Sequence, residues 1–263
     1  MPRLRADAHH VEDESYFVSM TDLMVGMLFI FIILLMAFAL NLKDQQTKID
    51  AATDSLTSAS EAREKLLKQL EAALKDQGIE VTIDIENGVL RLPESTLFKT
   101  GEYRLDIDGQ RALKVLAANL QSLLPSYTCV RTSVRPECPE GTAHLETIFI
   151  EGHTDDVPVG AQLASKVENN WGLSARRAIE VYTQLVKEQP ALDSFESARA
   201  DERGHKGKLI GVSGYADRRP IDETGTDEGR TKNRRIDLRF IMSTPSRSEV
   251  NQIRQSLGTS SSP

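Results

Sequence analysis

Cysteine, tryptophan and basic excess are what this chain has least of. Its 263 residues hold two Cys and one Trp, and only 5% are aromatic. Two cysteines exclude a disulfide-dense miniprotein. A formal net charge of −7 lacks the basic stripe that a general nucleic-acid binder sets against phosphates, so no direct nucleic-acid partner is expected. Gly (16) and Pro (10) fall below collagen-like or low-complexity levels, and 40% hydrophobic residues are enough for a packed core. The average hydropathy is that of a soluble protein. That average conceals a very uneven distribution.

From Leu23 to Leu40 the chain reads LMVGMLFIFIILLMAFAL, 18 residues without a charge. A bilayer core of ~30 Å takes about 20 apolar residues of helix. Tyr16, Phe17, Val18 and Met20 upstream and Leu42 downstream extend the run, so residues 16–42 are expected to form a single N-terminal transmembrane helix behind a short segment, 1–15. A cleaved signal peptide is the competing reading, with Ala37-Phe38-Ala39 as the cleavage site. The acidic approach (Asp7, Glu12, Asp13, Glu14) and the length of the run oppose it. Asp22 lies inside the extended segment. It either caps the helix or sits at headgroup level, or it is an intramembrane acid facing a partner helix or wet cavity, with a desolvated carboxyl able to take up and release a proton. Ser19 and Gly26 share its face and would let another helix approach closely.

Residues 43–78 contain no Pro, and no Gly before Gly78, which predicts a helical linker ending there. Ile49, Leu56, Arg63 and Leu70 recur every seven residues, as do Ala52, Ala59, Leu66 and Ala73. This a/d pattern fits either a parallel dimeric coiled coil or a solvated single helix.

Past Gly78 the period changes. Val81–Ile85 alternates, Glu86-Asn87-Gly88 supplies a turn and Val89–Leu92 returns, which predicts a hairpin. Residues 108–124 predict an amphipathic helix stopped before Pro125. Residues 147–152 predict a buried strand, 170–186 a second helix, and 209–215 and 235–241 two further strands. Strands alternating with helices over residues 79–243 indicate an α+β chain whose C-terminal domain is one α/β sandwich with a mixed sheet. A Ser-rich tail, 244–263, follows.

The motifs within this region carry a resemblance. Ile150-Glu151-Gly152-His153-Thr154-Asp155, Asn170 followed by Leu173-Ser174-Ala175-Arg176-Arg177-Ala178, Gly214-Tyr215-Ala216-Asp217-Arg218-Arg219-Pro220, and Asn233-Arg234-Arg235-Ile236 occur in the order of the OmpA-like peptidoglycan-binding domains. The segment Phe17-Val18-Ser19-Met20-Thr21-Asp22-Leu23-Met24 resembles the start of MotB-type stator subunits. Together they resemble flagellar-type stator B subunits, with length and helical linker closest to those of Zorya anti-phage motors. The resemblance implies a cytoplasmic N-terminus, a periplasmic C-terminal domain, and an inner-membrane homodimer. It also implies a multi-span A-type partner, five copies to two of this chain, with Asp22 as carrier of H⁺ or Na⁺.

It further implies which residues hold peptidoglycan. Stem peptides of the diaminopimelate type end a side chain in a carboxylate and an ammonium. Asp155 would accept from the ammonium and Arg177 would fork onto the carboxylate. Asn170, Leu173 and Thr154 would support them; Asn233 and Arg234 would either contact ligand or pack. The alternative for Asp155 and Arg177 is a plain ion pair tying a strand end to a helix. In an oxidising periplasm Cys129 and Cys138 would pair across a loop, the alternative being two buried thiols. His153, Asp155 and Asp156 lack a further ligand at metal spacing. Ser174 has neither a glycine elbow nor a usable base. No metal, cofactor or enzymatic activity is therefore expected, and His9 and His10 receive no role.

Overall fold

The computed structural model describes residues 9–128, 130–131, 136–137, 143–200 and 204–243. Cys129, Cys138 and the tail from 244 lie outside the described residues, and with them the expected disulfide. The chain divides into two compact units, Met1–Asp54 and Ser55–Pro263.

The first unit is helical. Helix α1 runs His9–Asp76, starting earlier than the expected Tyr16. Within it, Met20–Thr47 is long and apolar enough to cross a membrane, and none of its most apolar stretch is buried within the chain. Because helix precedes Asp22 by more than two turns, Asp22 is not an N-cap. It stands at the N-terminal end of the apolar stretch.

The second unit begins earlier than the expected boundary at residue 79. Ala59, Leu66, Leu67, Leu70 and Leu74 of α1 are buried in the same core as Leu90, Leu92, Leu113 and Leu116. Each fully buried leucine is worth about 1.5–3 kcal/mol, which makes these turns part of the domain rather than a linker. Leu66 and Leu70, which the repeat put on either a coiled-coil seam or a solvated helix, therefore face their own domain, while Ile49 and Leu56 stay exposed. Arg63, the charged member of that seam, donates to the Glu86 carbonyl at 3.2 Å, beside the β-hairpin turn. The helix ends in a Schellman motif: Ile79 N–H bonds Leu74 O at 3.0 Å and Gly78 N–H bonds Lys75 O at 2.9 Å, with Gly78 at φ 71°.

The rest follows as β1 (Thr82–Asp84), β2 (Val89–Pro93), α2 (Glu94–Leu97), α3 (Ile107–Leu123), β3 (Val130–Arg131), β4 (Pro136–Glu137), β5 (Leu145–His153), α4 (Ala161–Val167), α5 (Asn170–Glu188), β6 (Glu196–Ala200), β7 (Lys206–Lys208), β8 (Ile210–Gly214), α6 (Asp227–Asn233) and β9 (Arg235–Met242). The main sheet has the order β1-β2-β9-β5-β8, antiparallel except for the parallel pair β5-β8. The mixed sheet and its predicted strands are present. Helices α2, α4 and α6 and the β3-β4 and β6-β7 ribbons are additions too short to leave a periodic signal.

Alternation gives the sheet two faces. Leu90, Leu92, Ile236, Leu238, Phe240, Ile148 and Ile150 point into the core. Arg91, Arg235, Asp237, Arg239, Glu151 and His153 occupy the other face by register. Helix α5 lies close on the core face because two glycines permit it. A Cβ on Gly152 would come within 2.0 Å of the Ser174 carbonyl oxygen, and one on Gly214 within 2.7 Å of Ala175 N. Asn169 caps α5 by accepting from the N–H groups of Trp171 and Gly172. This seating fixes where Asn170, Leu173 and Arg177, all on one face of α5, meet the C-terminal end of β5.

Candidate functional site

The C-terminal end of β5 runs into Thr154 and Asp155, which line a cleft of about 300 Å³ together with Glu94, Gly101, Asn170, Leu173, Arg177, Arg230 and Arg234. Val157, Pro158, Val159 and Leu163 add an apolar wall. The expected binding residues Asp155, Arg177, Asn170, Leu173 and Thr154 are thus gathered in one place.

The alternative reading, a plain ion pair between Asp155 and Arg177, is not what forms. Arg177, 2% exposed, makes its ion pair with Glu94 rather than with Asp155. It also donates to the Glu102 carbonyl from Nε (2.9 Å) and Nη2 (2.7 Å) and lies over the Phe98 ring at 5.2 Å. Asp155 is instead bound by Arg234, whose Nη1 reaches Oδ2 at 2.7 Å. Arg234 Nε donates to Glu94 Oε2 at 2.6 Å, and Nη2 to the Thr231 hydroxyl at 2.9 Å. The result is a row of alternating charge, Arg177–Glu94–Arg234–Asp155. Burial pulls the Arg177 pKa below its ordinary value against the opposing charge of Glu94. For Arg234, burial acts downward, but its bonds to Asp155 and Glu94 prevail and raise it.

Sequence reasoning missed Glu94. It follows Pro93 at a strand end and opens a four-residue helix, so neither spacing nor motif marks it. Arg234, left open between ligand contact and packing, belongs to the cleft. Asn233 does not: its side chain accepts from Ile221 N–H (2.8 Å) and Asp222 N–H (3.1 Å) and donates to Asp222 O (2.7 Å), pinning that loop. Asn170 holds the cleft rim by donating to the carbonyls of Asp155 (3.2 Å) and Val157 (3.0 Å). The Thr154 hydroxyl donates to Asp155 O at 3.0 Å, and Leu173 supplies apolar lining. At the rim, Arg230 binds Asp156 at 3.0 Å, which lowers the Asp156 pKa through that hydrogen bond.

The opposite sheet face carries a second set of charges. Glu151, His153 and Asp237 place ligand-type atoms within 4.8 Å of one another, all buried. Arg239 grips Glu151 through Nε (3.0 Å) and Nη2 (2.9 Å), and Arg235 Nε binds both oxygens of Asp237. With Arg91 and Arg219 also close, four guanidiniums face two carboxylates, which favours an ion-pair network over a cation site. Burial, then the charges of Arg235, Arg219, Arg239 and Arg91, push the His153 pKa from 6.5 down to about 3. Its ring stacks on Tyr215 at 5.5 Å. Ser174 is engaged structurally, donating to Trp171 O and accepting from Ala216 N–H, both at 3.0 Å.

Residues 140–234 match the family model described as the OmpA family. The chain is 33% identical over 94 residues to motility protein B of Bacillus subtilis, covering 36% of this chain; the match spans only 30% of that protein. It is 27% identical over 252 residues to YtxE of the same organism, covering 85% of this chain and 87% of YtxE. A solved structure of a putative MotB-like protein from Desulfovibrio vulgaris aligns with a TM-score of 0.49 at 18% identity, over 75% of this chain and 99% of that one. The fold is that of an N-terminal apolar helix and a helical region leading into a C-terminal OmpA-like α/β domain with a mixed sheet.

Proposed function

We propose that this chain is the B-type subunit of an ion-driven membrane motor, anchored to peptidoglycan by its OmpA-like domain. The observation that carries the reading is the cleft. It offers a buried guanidinium and a carboxylate beside an apolar wall, the complement of a side chain that ends in a carboxylate and an ammonium. The similarity to motility protein B, confined to about a third of the chain, supports the same assignment.

In this reading α1 crosses the inner membrane once, its N-terminus cytoplasmic and the OmpA-like domain periplasmic. A homodimer brings two Asp22 carboxylates to a multi-span A-type partner, five copies around two of this chain. In this reading Asp22, the acid of the span, is the group that carries H⁺ (or Na⁺) as it passes. The anchored domain resists the torque. The output proposed is anti-phage defence, on the strength of the helical stem. No covalent chemistry is assigned to the chain: the cleft binds and Asp22 relays an ion.

Asp22→Asn keeps the shape and removes the titratable charge. Co-expressed with the A-type partner, it is expected to abolish ion flux and phage protection while full-chain sedimentation with purified peptidoglycan persists. Undiminished flux or protection would reduce the chain to a passive tether. Wild-type protein that does not sediment with peptidoglycan would remove the anchor.

A further inference from the structure

Arg177 and Asp155, the groups assigned to the ligand's carboxylate and ammonium, are each already matched by a side chain of the ligand's own charge. The Glu94 carboxylate holds Arg177, the Arg234 guanidinium holds Asp155, and Glu94 and Arg234 bind each other at 2.6 Å. An anion and a cation joined in that order reproduce the zwitterion in side chains.

We propose that Glu94 and Arg234 form an internal stand-in for the ligand, which enters by exchange. Its carboxylate takes Arg177 from Glu94, and its ammonium takes Asp155 from Arg234. The inference rests on the peptidoglycan-binding reading. Two observations argue for exchange over simple addition. Arg177 is 2% exposed and Glu94 6%, so leaving a guanidinium this deep without an anion is costly. Moreover, the exchange strands no charge. Two ion pairs break, two form, and the Glu94–Arg234 pair moves aside intact, with Arg234 still tethered to the Thr231 hydroxyl. A ligand carrying only one of the two charges breaks a pair without completing the swap. The stand-in therefore filters for zwitterions as well as keeping the cleft neutral.

The test is calorimetry on the detergent-solubilised full chain with two soluble muropeptides, one bearing meso-diaminopimelate and one bearing lysine at the same position. Glu94→Gln weakens the internal competitor for Arg177. It is expected to bind the diaminopimelate probe about tenfold more tightly than wild type does, with the lysine probe changed by less than about twofold. Equal or weaker binding of the diaminopimelate probe by Glu94→Gln, with wild type binding it, overturns the stand-in and leaves the anchor reading in place. Wild type binding neither probe overturns both. A crystal structure of wild-type protein with the diaminopimelate probe gives a second readout that does not depend on the variant's stability. Separation of Glu94 from Arg177 supports exchange, and a retained contact refutes it.

Discussion

Replacing Arg177 with Met removes a guanidinium that is 2% exposed and bonded to Glu94 and to the Glu102 carbonyl. Breaking one side of a buried pair costs about 3–5 kcal/mol when the remaining charge is left uncompensated. Here Glu94 keeps Arg234 at 2.6 Å, so the low end, about 3 kcal/mol, is expected. Glu94→Gln alone is expected to cost about 2 kcal/mol, because Arg177 retains the Glu102 carbonyl and the field of Asp155. In the double variant neither charge is stranded, and the expected loss is about 3 kcal/mol rather than the sum, a coupling of about 2 kcal/mol. Denaturant titration of the four proteins in detergent measures it. The double variant also separates binding from folding: it should unfold cooperatively and yet fail to sediment with peptidoglycan. Additive stability losses would refute the pair as an energetic unit. A folded double variant that sediments like wild type would remove Arg177 from the binding site.

Three further outcomes are expected. His153 is held neutral in the folded state, its pKa lowered to about 3, whereas the unfolded imidazole takes up a proton below pH 6.5. Its contribution is thus complete above that pH and falls as pH drops toward 3, by about 2 kcal/mol between pH 6.5 and 5. His153→Phe, which retains a ring against Tyr215, should flatten stability across that window; an unchanged slope would show that another group governs it. Gly152→Ala forces a methyl into the Ser174 carbonyl oxygen, 2.0 Å away, so α5 must lift, costing about 1–3 kcal/mol and weakening peptidoglycan sedimentation with it. Finally, if Cys129 and Cys138 pair, as a periplasmic location implies, the unreduced chain titrates without free thiols; two thiols would refute the bridge.

The large elements were legible because they are periodic or chemically abrupt. The Asn87-Gly88 turn between β1 and β2 needs a positive φ, which Gly88 adopts at 68°. The α5 stripe of Leu173, Ala178, Val181 and Leu185 is buried as its spacing implies. The stem was read only in part. Its seven-residue repeat caught Ala59, Leu66 and Leu70 of the buried edge but missed Leu67 and Leu74, and a repeat does not name its partner. Leu66 and Leu70 lie against their own domain, an assignment that depends on how β1, β2 and α3 are arranged in space. In the cleft, Asp155 and Arg177 were legible through motifs, while Glu94 was not, being 83 residues from the arginine it binds.

Sequence alone therefore determined the apolar run with its single acid, the strand and helix order of the C-terminal domain, and six of the residues that line the cleft, Thr154, Asp155, Asn170, Leu173, Arg177 and Arg234. These depend on local hydropathy, period and motif, which act over a few residues of chain. Tertiary structure decided which charges meet. Arg177 reaches Glu94 and Asp155 reaches Arg234 because Gly152 and Gly214 let α5 settle on the sheet, while α2 and the end of α6 close over the same cleft. Ion pairing in a buried site is set by distance and by the need to leave no charge unmatched, and distances between remote segments exist only once the chain has folded.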